Sequence, residues 1–207
     1  MKISGIVGPS PVTDGSPAEL RFGNARELIV ATGHGKYAEA VKRGNVYVGG
    51  TAATGVAPGT AIGTTAGFAL HNPLGSKVGL SVLRATMGYV SGTMGAGVVH
   101  WLANVNTQLA LPTGTAITLY NAAIGARTTP TGLAFTTATI ATPLILRPFA
   151  SLTALLATTA DSLYQISEDV DGEFLVLPGA TLSLHATAAA GTSPLVVYGI
   201  TIEEIAL

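Results

Sequence analysis

The chain reads as an all-β protein: a jelly-roll-like antiparallel β-sandwich with an extended N-terminal arm and at most one or two short helices. Three observations lead there. Short runs in which apolar residues alternate with small polar ones recur along most of the 207 residues, the period-2 pattern of half-buried strands. Asn-Pro, Gly-Ser, Gly-Thr and Pro-Gly pairs punctuate those runs as turns do. The apolar stretches are mixtures of Val, Thr, Ala and Gly, and none approaches the roughly 18–20 uninterrupted apolar residues of a membrane-spanning helix.

Taken in order, residues 1–25 form the arm. Pro9, Pro11 and Pro17 remove backbone donors and Gly5, Gly8 and Gly15 loosen the rest, so this segment orders only against something else. Residues 26–66 form a strand-containing connecting region. Arg26–Thr32 is its first expected strand, His34–Asn45 is balanced between helix and strand with strand favoured, and the uncharged Gly49–Ala66 stretch is a loop or linker. Residues 67–207 form the sandwich core. It is organised around Phe68–Asn106, which holds the only tryptophan and two of the four histidines.

Within that core, strands are expected near Gly67–His71, Val78–Ala85, Met87–Ser91 and Val98–Val105. The last places Val99, Trp101, Ala103 and Val105 on one face, opposite His100 and Asn104. A turn at Leu111-Pro-Thr-Gly leads to a strand Ala116–Asn121 with Ile117 and Leu119 inward. Phe135 and Ile140 are expected anchors in the Thr/Ala/Gly-rich stretch that follows. Leu152, Leu155 and Leu156 have helical spacing, which predicts a short helix over Phe149–Ala157. Strands Glu173–Leu177 and Thr181–Thr187 flank a Pro178-Gly179 turn, with Leu182, Leu184 and Ala186 inward. A final strand after Gly191-Thr-Ser-Pro sets Val196, Tyr198, Ile200 and Ile202 on one face and ends at Glu203-Glu204.

Composition narrows function. Charged residues make up 10% of the chain and its net charge is −1, against about 25% charged in ordinary domains. No nucleic-acid or membrane partner is therefore expected. No Asp or Glu occurs between Glu39 and Asp161. A lone domain keeps charge on its outward faces, and interface cores are depleted of it, so this interval predicts burial against other subunits. Cysteine is absent, which removes disulfides and thiolate metal sites. The N-terminal MKISGIVGPSPVTDG does not read as a secretory signal.

No catalytic constellation is found, and no catalytic, cofactor-binding or metal-binding residue is expected. Glu168, Asp169, Asp171 and Glu173 have the oxygen chemistry of a Ca²⁺ site, yet Asp171-Gly172 reads better as a hairpin turn with solvated flanks. His34, His71, His100 and His185 share no zinc spacing and read as sheet or interface residues. Thr32-Gly-His-Gly-Lys36 lacks the Walker spacing, and no G-x-S-x-G elbow is present. Tyr37, Tyr47 and Tyr89 read as core or subunit contacts rather than a sugar-stacking groove.

Three stretches, ELIVATGHGKYAEAVKRGNVYVGG, GFALHNPLGSKVGLSVLRATMGYVSGT and LPGATLSLHATAAAGTSPLVVYGITIEEI, together resemble a family of structural proteins of tailed-phage virions. The resemblance implies a jelly-roll-like subunit assembled as a symmetric homo-oligomer, with a trimer as the expected form, on a virion put together in the host cytoplasm. It implies no enzymatic residues and no cofactor. The expected function is a capsid-associated decoration or cement subunit that bridges capsomers and contacts the major capsid or other virion proteins. The alternative is a glycan- or host-binding jelly roll displayed on the particle.

Overall fold

The computed structural model describes residues 35–104, 110–152, 165–188 and 191–207. The arm, the Arg26–Thr32 strand, His34 and Val105 lie outside them. The chain divides into two compact units, Met1–Glu39 and Ala40–Leu207, and the second holds the sandwich. No helix among the described residues is long and apolar enough to cross a membrane.

Among the described residues, twelve strands build two six-stranded antiparallel sheets. They are β1 (Val46–Gly50), β2 (Thr65–His71), β3 (Val78–Ser91), β4 (Gly97–Asn104), β5 (Thr113–Ile117), β6 (Tyr120–Asn121), β7 (Leu133–Thr139), β8 (Leu144–Leu152), β9 (Gln165–Asp169), β10 (Leu175–Val176), β11 (Thr181–Ala188) and β12 (Leu195–Ala206). The first sheet runs β10-β3-β12-β1-β6, with β9 also on β3. The second runs β5-β7-β2-β11-β4-β8. Among the described residues no ladder joins strands consecutive in sequence, because the chain repeatedly crosses from one sheet to the other. That is the wrapping of a jelly roll.

The predicted inward faces hold. Val196, Tyr198, Ile200 and Ile202 of β12 and Leu182, Leu184 and Ala186 of β11 are buried and belong to the main core with Val99 and Trp101. Leu119 is buried and Ile117 half-buried against the same core. Ile140 is buried and Phe135 half-buried, in a satellite cluster with Ala66, Ala69 and Ala138.

Several boundaries differ from expectation, each for a tertiary reason. Within His34–Asn45 the structure places a helix, α1 (Ala38–Lys42), where strand was favoured. The Ala-Glu-Ala run decides locally because no ladder competes for it. Val78–Ala85 and Met87–Ser91 are one 14-residue strand. Its ladder with β12 is irregular at two places, where Leu83 and Val90 are skipped as bulges, and neither lies at the expected break after Ala85. Ala116–Asn121 is split, since Thr118-Leu119 carries the chain from the second sheet to the first. Gly49 makes that passage possible: a Cβ there would stand 2.6 Å from Leu119 Cδ2 and 2.9 Å from the Thr118 carbonyl oxygen. β12 continues past Glu203-Glu204 to Ala206 because β3 pairs it throughout.

The helix expected over Phe149–Ala157 is overturned in its described part. Phe149–Leu152 ends strand β8, paired with β4 from Gly97 to Ala103 across two bulges, and that ladder outweighs helical spacing of three leucines. Residues 153–157 lie outside the described part. The Gly49–Ala66 stretch is tied to the sandwich: Thr51 N–H donates to the Tyr198 carbonyl, Val56 bridges Val196, and the Pro58 carbonyl accepts from Ala186 N–H. β1 itself sits between β12 and β6.

Candidate functional site

The acidic cluster is the first sequence candidate the structure resolves. Asp171 and Gly172 both have positive φ, 55° and 86°, so the predicted turn is present. It does not close a hairpin, however. β9 and β10 both lie antiparallel on β3, and the turn is an excursion within that one path, held by Val170 and Asp171 N–H on the Leu83 carbonyl. The flanks are not simply solvated either. Asp169 pairs with Arg84 at 2.6 Å in the open, whereas Glu168 turns inward beneath Trp101.

Trp101 is the centre of the arrangement. Its side chain is fully buried, and its ring meets Phe149 and Phe174 edge-on, each at 5.5 Å between centroids. The indole N–H donates to Glu168 Oε2 at 2.9 Å. Arg147 of β8 completes the group, 2.5 Å from Glu168 and 2.7 Å from Glu173, with its guanidinium 4.9 Å above the Phe174 ring. Burial alone would lower the Arg147 pKa, but the hydrogen bonds and charges of Glu168 and Glu173 outweigh it and raise it. Trp101 and Arg147 belong to the second sheet, and Glu168 and Glu173 to the β9–β10 side of the first. The group therefore clasps the two sheets together. A π-face enclosed in this way offers no platform to a sugar.

The histidines form a second pattern, one that spacing hid. On the far face of the second sheet, three of them each meet a β11 hydroxyl. His71 Nδ1 lies 2.9 Å from Thr181 Oγ1, His185 Nε2 3.1 Å from Ser183 Oγ, and His100 Nε2 3.2 Å from Thr187 Oγ1. Thr187 donates its own proton to the Val98 carbonyl. Its oxygen can then only accept, which places the His100 proton on Nε2. His100 and His185 are direct cross-strand partners. His71 and His185 are buried. Burial lowers both pKa values, His185 to about 4, and for His71 the hydrogen bond to the Ala180 backbone offsets part of the effect. Among the described residues no group of three or more His, Asp or Glu side chains is placed to hold a metal ion.

The tyrosines disperse. Tyr47 is buried in the core, Tyr89 is half-buried with its hydroxyl on the Gly92 carbonyl, and Tyr37 lies under Lys36.

What sequence reasoning missed is an apolar flank. Leu144, Ile145 and Leu146 open β8 and are 62%, 56% and 45% exposed, and Leu175 and Leu177 nearby are about half exposed. The outward signal was visible in a bare Leu-Ile-Leu run without a charge, but nothing local says that such a run stays uncovered. Comparison with known proteins returns no matching family model, no similar curated protein and no similar solved structure.

Proposed function

We propose that this chain is a non-enzymatic structural subunit of a phage virion, a capsid-associated decoration or cement protein that stabilises the head by bridging capsomers. The observation that carries the reading is an inversion of ordinary surface chemistry. The clustered charges Arg147, Glu168 and Glu173 serve contacts between the sheets, while a run of aliphatic side chains stands in solvent. Exposed apolar surface of this kind marks protein–protein contact, and an interval without acids from Glu39 to Asp161 suits burial between subunits. The mechanism is contact area. Individual contacts are weak, and their repetition by symmetry gives avidity.

Co-sedimentation of the purified chain with capsid particles tests the reading, with saturable binding expected. Deleting Met1–Gly23 is expected to weaken that binding while the sandwich melts unchanged. Absence of binding to particles, together with selective retention of one sugar on a glycan array, would transfer the function to the host-binding alternative.

A further inference from the structure

The two sheets end side by side at one flank of the sandwich. β8 is the last strand of the second sheet and β10 the last of the first, and neither has a strand on its outer side among the described residues. Between them runs an apolar groove of about 270 Å³ whose walls include Ala103, Leu146, Phe174, Leu175 and Leu182. We propose that this flank is a self-docking edge: the Leu144–Arg147 end of β8 pairs antiparallel with the same segment of a second copy about a two-fold axis. Apolar side chains of each copy then fill the groove of the other. The proposal deepens the subunit reading above and rests on it for self-association.

Four features select a copy of this chain as the occupant. Leu144, Ile145 and Leu146, the last bulged out of the ladder with β4, are all exposed, so the described residues leave this end of β8 largely uncovered, and Leu175 and Leu177 extend the apolar area alongside. A bare strand edge is a template for antiparallel pairing through its main chain. Pro148, with no N–H, stops the ladder, so pairing is confined to the four residues before it and the groove supplies the remaining contact. The cation at the rim, Arg147, is already matched by Glu168 and Glu173 of its own chain. An acidic partner therefore has no free charge to meet here, whereas an apolar, internally neutralised surface is complementary to itself, as a two-fold contact requires.

Such a contact produces even-numbered assemblies, either a dimer or two trimers joined face to face. Light scattering of the full chain at tens of micromolar should give an even multiple of the 20.8 kDa subunit. Ile145→Lys should halve that mass, and so should Ile145→Glu, because like charges then face each other across the axis. Mixing the two variants should restore the original mass, a rescue that no unrelated partner could provide. Ile145 is 56% exposed, so both variants should keep the parent's far-UV spectrum and a cooperative melt, with only the concentration-dependent part of the parent's melting temperature lost, which separates lost assembly from lost folding. A monomeric parent, an odd-numbered assembly, or a mass unchanged by Ile145→Lys would each overturn the proposal. Particle co-sedimentation reads the other claim: an Ile145→Lys chain of unchanged mass that still binds particles sinks only the edge, and an even-numbered oligomer that ignores particles sinks only the virion reading.

Discussion

Strand β8 carries two regions that obey opposite rules. From Arg147 to Leu152 it is locked into the molecule, with Arg147 on two carboxylates, Phe149 against Trp101, and Ala150 and Leu152 buried. From Leu144 to Leu146 it is more apolar still, yet it stands in water. Both segments pair with β4, with a bulge at Leu146 where they meet, so pairing as such does not decide which of them is covered. The difference is what lies across the gap between sheets. β9 and the turn after it bring Glu168, Glu173 and Phe174 over the Arg147 end, whereas only a groove faces the Leu146 end. Apolarity thus predicts that a side chain gains from being covered. It does not predict that its own chain covers it.

The largest effect on this comparison should come from the clasp. Trp101→Ala removes a fully buried ring and its edge-on contacts with Phe149 and Phe174, and should cost about 3–5 kcal/mol in denaturant unfolding. The intact protein should show blue-shifted indole emission that resists acrylamide quenching, and red-shifted, readily quenched emission would contradict the packing. Arg147→Ala leaves Glu168 half-buried without its cation and should cost about 1.5–3 kcal/mol. The contrast is Arg84→Ala at the exposed Asp169 pair, which should cost no more than about 1 kcal/mol and respond to salt.

Acid provides a conditional test of the second sheet's far face. Above about pH 6.5 His185 is neutral in both folded and unfolded chains and adds no pH dependence. Below that value the unfolded chain binds a proton that the buried ring resists until about pH 4. Stability should therefore fall progressively between those two values and level off beneath them. His71 acts in the same direction. A His185→Gln chain should show a shallower slope over that interval, and an identical slope would mean that the ring protonates freely in the fold. The smallest effect is expected at the other end of β8, where Ile145→Lys should change the stability of the dissociated chain, read at high dilution, by less than about 0.5 kcal/mol.

How much was legible follows from which interactions are local. Strand faces were, because side-chain alternation is a property of the backbone: the inward sets Leu182, Leu184, Ala186 and Val196, Tyr198, Ile200, Ile202 are those that are buried. Turns were, since Asp171-Gly172 and Pro178-Gly179 carry their conformational preference within two residues. The buried Trp101 with Val99 beside it was legible for the same reason.

Pairing was not legible. Every ladder among the described residues joins strands that are not neighbours in sequence, so none of them carried a hairpin signal to be read. That is why Phe149–Leu152 could look helical until β4 claimed it, and why Asp171-Gly172 could look like a hairpin until β3 received both of its flanks. It is also why the indole partner Glu168, 67 residues from Trp101, and the facing of His100 by His185 left no trace in spacing. By itself the sequence determined the class of structure and which side of each strand seeks cover, because both depend on residues two apart. Only the tertiary structure decided which side receives that cover, because this depends on what a distant part of the chain brings across the gap, and at Leu144–Leu146 the described residues bring only the wall of a groove.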